Sequence, residues 1–283
     1  MSQSSQAHLG TALVTGASTG IGAVYADRLA KRGHDLVLVA RDQARLDALA
    51  ERLRGEAGVK VEVIKADLAA PADLAKVEQR LTGEDITLLV NNAGIATAGA
   101  FETQGADKHA NLIQLNVVAV VRLLAAVTPH FVAKGAGSVI NIASVLAIAP
   151  EIGMPVYNAS KAFVLSLSQS LQTELGPKGV YIQAVLPAAT RTEIWDRSGV
   201  GIENLKDGTV MSTDDLVDAA LVGFDRHEAV TVPPLADDGQ WQAFEAARRT
   251  MLPGFATDKP AARYLSAIEP RTWTTEEVVA SLS

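Results

Sequence analysis

Cysteine is absent from the 283 residues of this chain. Disulfide bonds, thiolate nucleophiles and zinc–cysteine centres are therefore excluded. Clusters of lysine or arginine are also lacking, and the formal net charge is -7. Because nucleic acids bind to basic surfaces, we expect no nucleic-acid partner. The five histidines form no paired ligand motif, so we also predict no metal site.

The sequence has no segment that reads as an export signal or a membrane anchor. Met1–Gly10 is polar and lacks the apolar core of a signal peptide. The most apolar stretch runs from Leu112 to Ala133, and it is interrupted by Gln114, Asn116, Arg122, Pro129 and His130. Such interruptions favour a buried helix over a membrane span. We therefore expect a disordered tail at residues 1–10, no membrane partner and a cytoplasmic location.

Short apolar runs alternate with longer helical patterns along the chain. Seven runs predict β-strands, at residues 12–15, 36–39, 61–64, 86–90, 138–142, 180–186 and 230–232. Helical periodicity predicts helices between them, at residues 20–31, 43–54, 73–81, 111–133 and 160–175. Strands that are apolar on both faces belong in a parallel sheet that helices cover. The predicted fold class is α/β: a doubly wound, Rossmann-type parallel sheet of about seven strands with helices on both faces.

A glycine-rich turn, Thr15-Gly16-Ala17-Ser18-Thr19-Gly20-Ile21-Gly22, joins the first predicted strand to the first predicted helix. Glycines let the backbone approach a pyrophosphate closely, and the helix N-terminus offers free N–H groups. The spacing differs from the common three-glycine fingerprint, and the Lys-Ser/Thr of a P-loop is lacking. A structural corner is the alternative. The strand-turn-helix context favours dinucleotide binding at Gly16, Ser18, Thr19, Gly20, Ile21 and Gly22.

The tip of the second predicted strand reads Val39-Ala40-Arg41-Asp42. A carboxylate at this tip would bind a ribose 2′-hydroxyl and repel a 2′-phosphate. Here the tip position is Ala40, and Arg41 can pair with a phosphate through two donors. The sequence therefore favours NADP(H) as the cofactor. The alternative is that Arg41 only forms an ion pair with Asp42 or Asp67. The glycine turn has Thr19 and therefore supplies no second positive charge for a 2′-phosphate.

Tyr157 and Lys161 lie four residues apart on one face of a predicted helix start. A free phenol has a pKa of about 10, and a nearby ammonium together with oxidised nicotinamide would lower it. Such a tyrosine can give a proton to a developing alkoxide or take one from an alcohol. Taken alone, the pair fits a helix-surface contact better. Ser144 follows the fifth strand, where its hydroxyl could donate to a substrate oxygen, and Asn116 is an amide in an apolar helix that needs a partner.

With these residues in place, the sequence closely resembles the short-chain dehydrogenase/reductase family. The resemblance rests on Thr-Gly-x-x-x-Gly-Ile-Gly at 15–22, Asp67-Leu68, Asn91-Asn92-Ala93-Gly94, Asn116, Ser144 and Tyr157-x-x-x-Lys161. These pieces follow the family's order and spacings over residues 11–192. Each could arise by chance, but their joint occurrence is highly specific.

The resemblance implies a catalytic role for four residues. Tyr157 would be the general acid/base, and Lys161 would tune Tyr157 and hydrogen-bond the nicotinamide ribose. Ser144 would hold and polarise the carbonyl. Asn116 would position a water that relays protons to Lys161.

The resemblance also implies cofactor contacts beyond the glycine turn. Asp67 would contact the adenine, Asn91 would support the ribose side of the pocket, and Thr192 would bind the carboxamide. Ala188 stands where the family has glycine, so we expect that last contact to be shifted. The remaining implied cofactor-binding positions are Leu68, Ala93, Gly94, Pro187 and Thr190.

Length favours one catalytic domain, because two α/β cores in 283 residues would be cramped. We assign residues 11–235 to a dinucleotide-binding catalytic domain. Within it, residues 193–211 carry three glycines and no clear period, and they predict a flexible substrate flap. Residues 236–283 read as a C-terminal helical extension of the same domain.

The sequence therefore predicts an NADP(H)-dependent oxidoreductase that moves hydride between the cofactor and a small-molecule carbonyl or secondary alcohol substrate. Two alternatives stay open: a non-catalytic, dinucleotide-responsive binding protein, and an epimerase that acts through a transient ketone. The resemblance further suggests a homodimer or homotetramer that pairs through the helix at 160–175.

Overall fold

A computed structural model describes residues 9–199, 201–202 and 208–264. Its strands are β1 Thr11–Thr15, β2 Asp35–Ala40, β3 Val61–Lys65, β4 Ile86–Asn91, β5 Gly137–Ile142, β6 Val180–Val185 and β7 Val230–Thr231. They form one parallel sheet of seven strands in the order β3-β2-β1-β4-β5-β6-β7. The strand order reverses beside β1, which is the mark of a doubly wound sheet. The predicted fold class is confirmed.

The described helices are α1 Gly20–Lys31, α2 Gln43–Ala57, α3 Pro71–Leu81, α4 Ala106–Ile113, α5 Val120–Lys134, α6 Pro155–Leu175, α7 Ile194–Ser198, α8 Thr213–Asp225 and α9 Asp238–Thr250. A π-helical turn, Gln114–Ala119, joins α4 to α5. Each parallel strand must be reached by a crossover, and these helices supply it. The predicted strands and helices match these bounds to within a few residues, except for α7 and α8, which the sequence patterns did not predict.

The central strands are buried on both faces. All five residues of β1 are buried, and four or more residues of β2, β4, β5 and β6 are buried as well. The edge strand β3 differs, because Glu62 and Lys65 are exposed. A sheet that helices cover on both sides requires continuous apolar runs in its central strands, and the sequence supplies them.

The stretch Ala106–Lys134 is the one helical segment of the described residues that is long and apolar enough to cross a membrane. In this structure it contributes to the core instead. Leu123, Val127 and Phe131 are almost completely buried, and α5 contacts α3 and β5. A core helix passes the same test of length and hydropathy as a membrane span, so the stretch is weak evidence for membrane insertion.

Helix α8 begins in a charged segment that the sequence patterns did not assign to a helix. The Ser212 Oγ accepts a hydrogen bond from the Asp215 backbone N–H at 3.0 Å, which caps the helix. Asp214 and Asp215 lie in the first turn, where negative charge complements the helix dipole. Arg28 of α1 then donates to Asp214 and Asp218 at 2.7 Å each, so α8 is tied to the helix that follows the glycine turn.

The base of the predicted flap, residues 193–211, is held by backbone hydrogen bonds. The Met211 N–H donates to the Ala189 carbonyl and the Arg191 N–H donates to the Met211 carbonyl, each at 2.9 Å. Helix α7 lies inside the flap. Residues 200 and 203–207 of the flap lie outside the described residues, and its flexibility stays a prediction.

The chain divides into two compact units, Met1–Pro234 and Leu235–Ser283. In the second unit, the Trp241 and Phe244 rings stack on α9 with centroids 5.4 Å apart. The predicted tail at residues 1–10 lies largely outside the described residues, as does the extension beyond residue 264. The assignment of residues 236–283 to the catalytic domain therefore stays a prediction.

Candidate active site

The glycine turn lies at the carboxyl edge of the sheet and has no room for side chains. Gly16 and Gly20 adopt positive φ values of 65° and 56°, which favour glycine. A Cβ on Gly22 would lie 2.4 Å from the Gly16 carbonyl oxygen and 2.5 Å from Asn92 Nδ2. Thr19 precedes α1 without a side-chain capping bond, and the first turn has no acidic residue. The bare backbone and the uncapped helix N-terminus fit the phosphates of a dinucleotide.

Two residues that sequence reasoning left without a role hold this turn in place. The Thr15 Oγ1 accepts from the Asn92 and Ala93 backbone N–H groups at 3.0 Å and donates to the Val90 carbonyl at 3.2 Å. The Asn92 Nδ2 donates to the Thr15 carbonyl at 2.9 Å. These bonds lock the end of β1 to the end of β4. The sequence could have indicated this role, because Thr15 is the last residue of β1 and Asn92 directly follows β4.

We expect Gly22→Ala to destabilise the protein and weaken dinucleotide binding, because the added methyl forces the turn apart. Overpacking of this kind costs about 1–3 kcal/mol. Gly55→Ala is the matched control, because Gly55 lies inside α2 and an added Cβ would meet nothing within 4 Å; it should gain about 0.5–1 kcal/mol. Denaturant unfolding and calorimetric titration measure both effects. A Gly22→Ala protein with unchanged stability and affinity would contradict this account of the turn.

The arginine at the tip of β2, Arg41, has no ion-pair partner among the described residues. Arg41 is exposed, and its guanidinium makes no hydrogen bond or ion pair with the rest of the described chain. Asp67 is occupied elsewhere, since its Oδ1 accepts from the Ala69 N–H at 3.0 Å. Leu68 beside it is buried. The alternative in which Arg41 merely pairs with Asp42 or Asp67 is therefore not observed.

Tyr157 and Lys161 lie together at the start of α6, beyond the carboxyl end of β5. The Lys161 Nζ lies 5.6 Å from the centre of the Tyr157 ring and donates to the Ile142 carbonyl at 2.8 Å. Burial raises the pKa of the Tyr157 phenol to about 12, and interaction with the Ser144 hydroxyl acts in the opposite direction. Burial lowers the pKa of the Lys161 ammonium to about 8. The two side chains are brought together as predicted.

The direction of the Tyr157 shift differs from the sequence-based expectation. We expected the ammonium together with oxidised nicotinamide to lower the pKa of the phenol, whereas burial is the largest influence on it in this structure. Lys161 donates its hydrogen bond to a carbonyl rather than to the phenol. Tyr157 therefore carries its proton at neutral pH and is poised as an acid.

Ser144 lies directly after β5 and is 6% exposed. Its Oγ accepts from the Leu146 N–H at 3.1 Å and caps the short 3-10 helix Val145–Ala147. The same hydroxyl donates to the Pro187 carbonyl at 3.4 Å. Because this hydrogen bond is long and weak, the hydroxyl can donate to another acceptor instead. Ser144 thus stands where it can donate to an oxygen placed against Tyr157.

Asn116 is fully buried within the π-helical turn, and its Nδ2 donates to the Ser160 Oγ of α6 at 3.2 Å as well as to the loop after β4. Its Oδ1 accepts from the Ile95 N–H at 3.0 Å, and its Nδ2 donates to the Ile95 carbonyl at 2.9 Å. A Cβ on Gly94 would lie 3.2 Å from the Asn116 Oδ1 and 3.6 Å from the Lys161 Nζ. Asn116 and Lys161 therefore both border the space that the missing side chain of Gly94 leaves open. The role of Asn116 in positioning a water stays a prediction.

Asn91 points its amide into the sheet. The Asn91 Nδ2 donates to the Asn141 Oδ1 at 2.9 Å, and the Asn141 Nδ2 donates to the Ser168 Oγ at 2.9 Å. All three residues are at most 4% exposed. This buried polar chain ties β4 and β5 to α6, the helix that carries Tyr157. The contact of Asn91 with a ribose stays a prediction.

The segment from Pro187 to Thr192 leads from β6 into the flap. The Pro187 carbonyl accepts from the Val145 N–H at 2.9 Å, and the Thr190 carbonyl accepts from the Trp195 Nε1 at 2.7 Å. Thr192 lies against the glycine turn, with its Cγ2 3.2 Å from the position a Gly20 Cβ would take. Among the described residues, only Met154 and His227 have positive φ without being glycine. Ala188 therefore needs no left-handed conformation, and the shifted contact of Thr192 with the carboxamide stays a prediction.

No group of three or more potential ligands that could hold a metal ion occurs within the described ranges. The residues assembled at this edge are instead a glycine turn, a free arginine, a phenol, an ammonium and a hydroxyl. This set can bind an anionic dinucleotide and can exchange protons with an oxygen.

Comparison with known proteins agrees with this geometry. The family model described as short chain dehydrogenase matches residues 10–200. A short-chain dehydrogenase from Sphingobium yanoikuyae in complex with NADPH is 57% identical, with a TM-score of 0.88 over 90% of this chain and 100% of that one. A bulky-bulky ketone specific alcohol dehydrogenase from Comamonas testosteroni is 51% identical, with a TM-score of 0.84 over 91% of this chain and 99% of that one.

Curated relatives are more distant. The very-long-chain 3-oxoacyl-CoA reductase-B of Danio rerio is 34% identical over 187 residues, which is 65% of this chain and 60% of that protein. The 17-beta-hydroxysteroid dehydrogenase type 3 of Homo sapiens is 34% identical over 183 residues, 64% of this chain and 59% of that protein. The chain thus spans about three fifths of the length of these relatives.

Proposed function

Since this chain belongs to the short-chain dehydrogenase family, we propose that it is an oxidoreductase that uses NADP(H) to interconvert a ketone and a secondary alcohol. One observation carries the proposal. Tyr157, a half-buried and protonated phenol, stands with the buried Ser144 and Lys161 at the same sheet edge as the glycine turn. The NADPH-bound relative supports the choice of cofactor.

The residues of the chain divide the work of ketone reduction. The dinucleotide, when held by the glycine turn and Arg41, supplies the hydride. The Ser144 hydroxyl donates to the carbonyl oxygen, and the Tyr157 phenol gives that oxygen its proton as negative charge develops. The Lys161 ammonium then stabilises the resulting phenolate. In alcohol oxidation the same groups act in reverse, and Tyr157 takes the proton.

We propose a ketone with two bulky substituents as the substrate class. The support is the 51% identity to the bulky-bulky ketone specific enzyme. Three large apolar side chains lie exposed in the loops that follow β4 and β5: Phe101 at 58%, Ile148 at 38% and Ile152 at 60%. The loops leave the sheet at the edge that carries Ser144 and Tyr157. Exposed apolar side chains beside a reactive centre suit a large apolar ligand.

The proposal is tested by following oxidation of the reduced cofactor in the purified protein against a panel of ketones of increasing bulk. Each ketone is assayed with NADPH and with NADH. The expected result is consumption of NADPH that is fastest with a bulky-bulky ketone and absent with Tyr157→Phe. Tight NADPH binding without consumption on any ketone would favour a dinucleotide-responsive binding protein instead.

The cofactor preference has its own test in Arg41→Ala. Charge-assisted hydrogen bonds contribute about 1.5–3 kcal/mol, so the ratio of NADPH to NADH affinity should fall on the order of 10- to 100-fold. Arg226→Ala is the control, because Arg226 is an exposed arginine at the C-terminus of α8, and it should leave the ratio unchanged. Equilibrium titration with both cofactors measures it. An unaltered ratio in Arg41→Ala would show that Arg41 does not set the preference for NADP(H).

We further propose that the protein acts in the cytoplasm as a homo-oligomer that pairs through α6, without a nucleic-acid or membrane partner. Phe163 on α6 is 40% exposed, and Ser166 and Ser170 are small residues on the same helix. Small residues allow a second helix to approach closely, and an exposed phenylalanine gains from burial. Light scattering of the purified protein would report the oligomeric state.

A further inference from the structure

Arg45 links the adenosine side of the candidate cofactor site to the origin of the flap. It lies in the first turn of α2, directly after the β2 tip that carries Arg41. Its guanidinium donates to the Glu193 Oε1 at 2.8 Å, and its Nε lies 3.4 Å from the Asp42 Oδ2. The ion pair with Glu193 joins residues that are 148 positions apart in the sequence. It connects an element of one half of the sheet to the segment that leaves β6.

The two neighbouring arginines are in opposite states. The Arg41 guanidinium has no partner among the described residues, whereas Arg45 is engaged by two carboxylates. Both carboxylates of Arg45 are open to solvent, with exposed side-chain fractions of 48% for Asp42 and 41% for Glu193. Ion pairs in such exposed positions are weak and exchange readily.

We propose that Arg45 is a second, exchangeable cation for the 2′-phosphate of the cofactor, and that Glu193 holds it in reserve until the phosphate arrives. The inference rests on the proposed use of NADP(H). It supplies the second positive charge that the glycine turn lacks at Thr19. The 2′-phosphate binds Arg41 first and then replaces the Glu193 carboxylate on Arg45.

The exchange follows from charge and geometry. A phosphate monoester carries between one and two negative charges at neutral pH and offers three acceptor oxygens, so it competes well against a single carboxylate for a guanidinium. Asp42 stays in place during the exchange, because its Oδ1 also accepts from the Arg45 backbone N–H at 3.1 Å and caps α2. Glu193 belongs to a separate segment of the chain, and its carboxylate is the partner that leaves.

The exchange also changes a contact at the origin of the flap. Glu193 directly follows Thr192, which lies against Gly20 of the glycine turn. Helix α7 begins at Ile194, and the Ala98 N–H donates to the Ser198 carbonyl at 3.2 Å. Release of Glu193 therefore removes an ion pair that joins the origin of the flap to α2. A cofactor without the 2′-phosphate leaves that ion pair intact.

The test uses two nucleotide fragments as probes, adenosine 2′,5′-bisphosphate and AMP, which differ only in the 2′-phosphate. Calorimetric titration at low ionic strength gives the affinity of wild type, Glu193→Gln, Arg45→Gln and the double variant. Glu193→Gln should bind the bisphosphate about 2- to 5-fold more tightly and leave AMP unchanged, because an exposed competing ion pair is removed. Arg45→Gln should bind the bisphosphate about 10-fold more weakly.

The double variant decides the mechanism. If Glu193 acts only by occupying Arg45, the double variant binds the bisphosphate like Arg45→Gln alone. Glu51→Gln removes a charge from an exposed position of the same helix and should change neither affinity by more than about 1.5-fold. A Glu193→Gln gain that persists without Arg45, or that extends equally to AMP, overturns the inference.

Arg41→Ala separates this inference from the proposed cofactor. If Arg41→Ala removes the preference for the bisphosphate but the Arg45 and Glu193 variants match wild type, only the exchange is wrong. If wild type binds both probes alike, so that Arg41→Ala has no preference to remove, the NADP(H) assignment itself fails.

Discussion

Replacing Tyr157 by phenylalanine should abolish ketone reduction while leaving the dinucleotide bound. The variant keeps the ring and its packing but removes the only phenolic proton beside Ser144 among the described residues. Burial holds the pKa of this phenol at about 12, so the wild-type group is protonated and able to act as an acid at neutral pH. General acid–base catalysis contributes on the order of 10²- to 10⁴-fold. We expect kcat to fall by about a thousandfold with the Kd for NADPH nearly unchanged.

Tyr181→Phe is the matched control for that experiment. The Tyr181 hydroxyl donates to the Glu228 carbonyl at 2.8 Å, near the amino end of β6 and away from the candidate active site. Its loss should cost about 1 kcal/mol of stability and leave kcat unchanged. Steady-state kinetics, NADPH titration and thermal unfolding of both variants distinguish chemistry from folding. Turnover by Tyr157→Phe within a few fold of wild type would remove this residue from the mechanism.

Replacing Lys161 by methionine should stop turnover and at the same time stabilise the fold. Lys161 is 6% exposed, and the one described hydrogen-bond partner of its ammonium is the Ile142 carbonyl. A buried ammonium with so little compensation lowers stability, and methionine fills similar volume without a charge. Without the ammonium, the phenolate left after proton transfer loses its stabilising charge. We expect kcat to fall by at least about a hundredfold.

The stability gain should depend on pH in a defined window. The pKa of Lys161 is about 8 in the folded protein, below its ordinary value of 10.5. Between these values the unfolded chain binds the proton more tightly than the folded one, so wild-type stability rises with pH there. Lys161→Met lacks this rise. Its advantage should be about 3 kcal/mol at pH 7 and should vanish as the pH passes through about 8 to above 10.

Denaturant titrations of both proteins from pH 6 to 10 measure this difference. Lys178→Met serves as the control, because the Lys178 side chain is 49% exposed and bears only a long ion pair of 3.8 Å to Glu174. It should show a small, pH-independent change in stability. A stability difference for Lys161→Met that is flat across the range would show that the pKa of Lys161 is not lowered in the folded protein.

The sequence was informative where the relevant contacts are local or follow from topology. Apolar runs predicted the seven strands, and strand-helix alternation predicted the parallel order that the structure confirms. In such a sheet, residues that directly follow the strands must meet at one edge. That rule predicts that the glycine turn, Arg41 and Ser144 lie at one edge, whereas Tyr157 reaches it at the start of α6.

The sequence did not predict helix α8, because the charged segment at its start shows no helical periodicity of apolar residues. Helix α8 begins with Thr213-Asp214-Asp215 and depends on the Ser212 cap and on contacts to Arg28 of α1. Those contacts join residues 186 and 190 positions apart. A local sequence pattern cannot show that Arg28 will contact this segment. Tertiary packing therefore determines that α8 forms.

The alternation of strands and helices, the glycine turn after β1 and the spacing of Tyr157 and Lys161 could be predicted from the sequence alone, because each depends on neighbours within a few positions. The protonation of Tyr157, the lowered pKa of the Lys161 ammonium and the ion pair between Arg45 and Glu193 were set only by the folded protein. Desolvation and long-range charge contacts arise when distant segments exclude water together. No spacing along the chain encodes them.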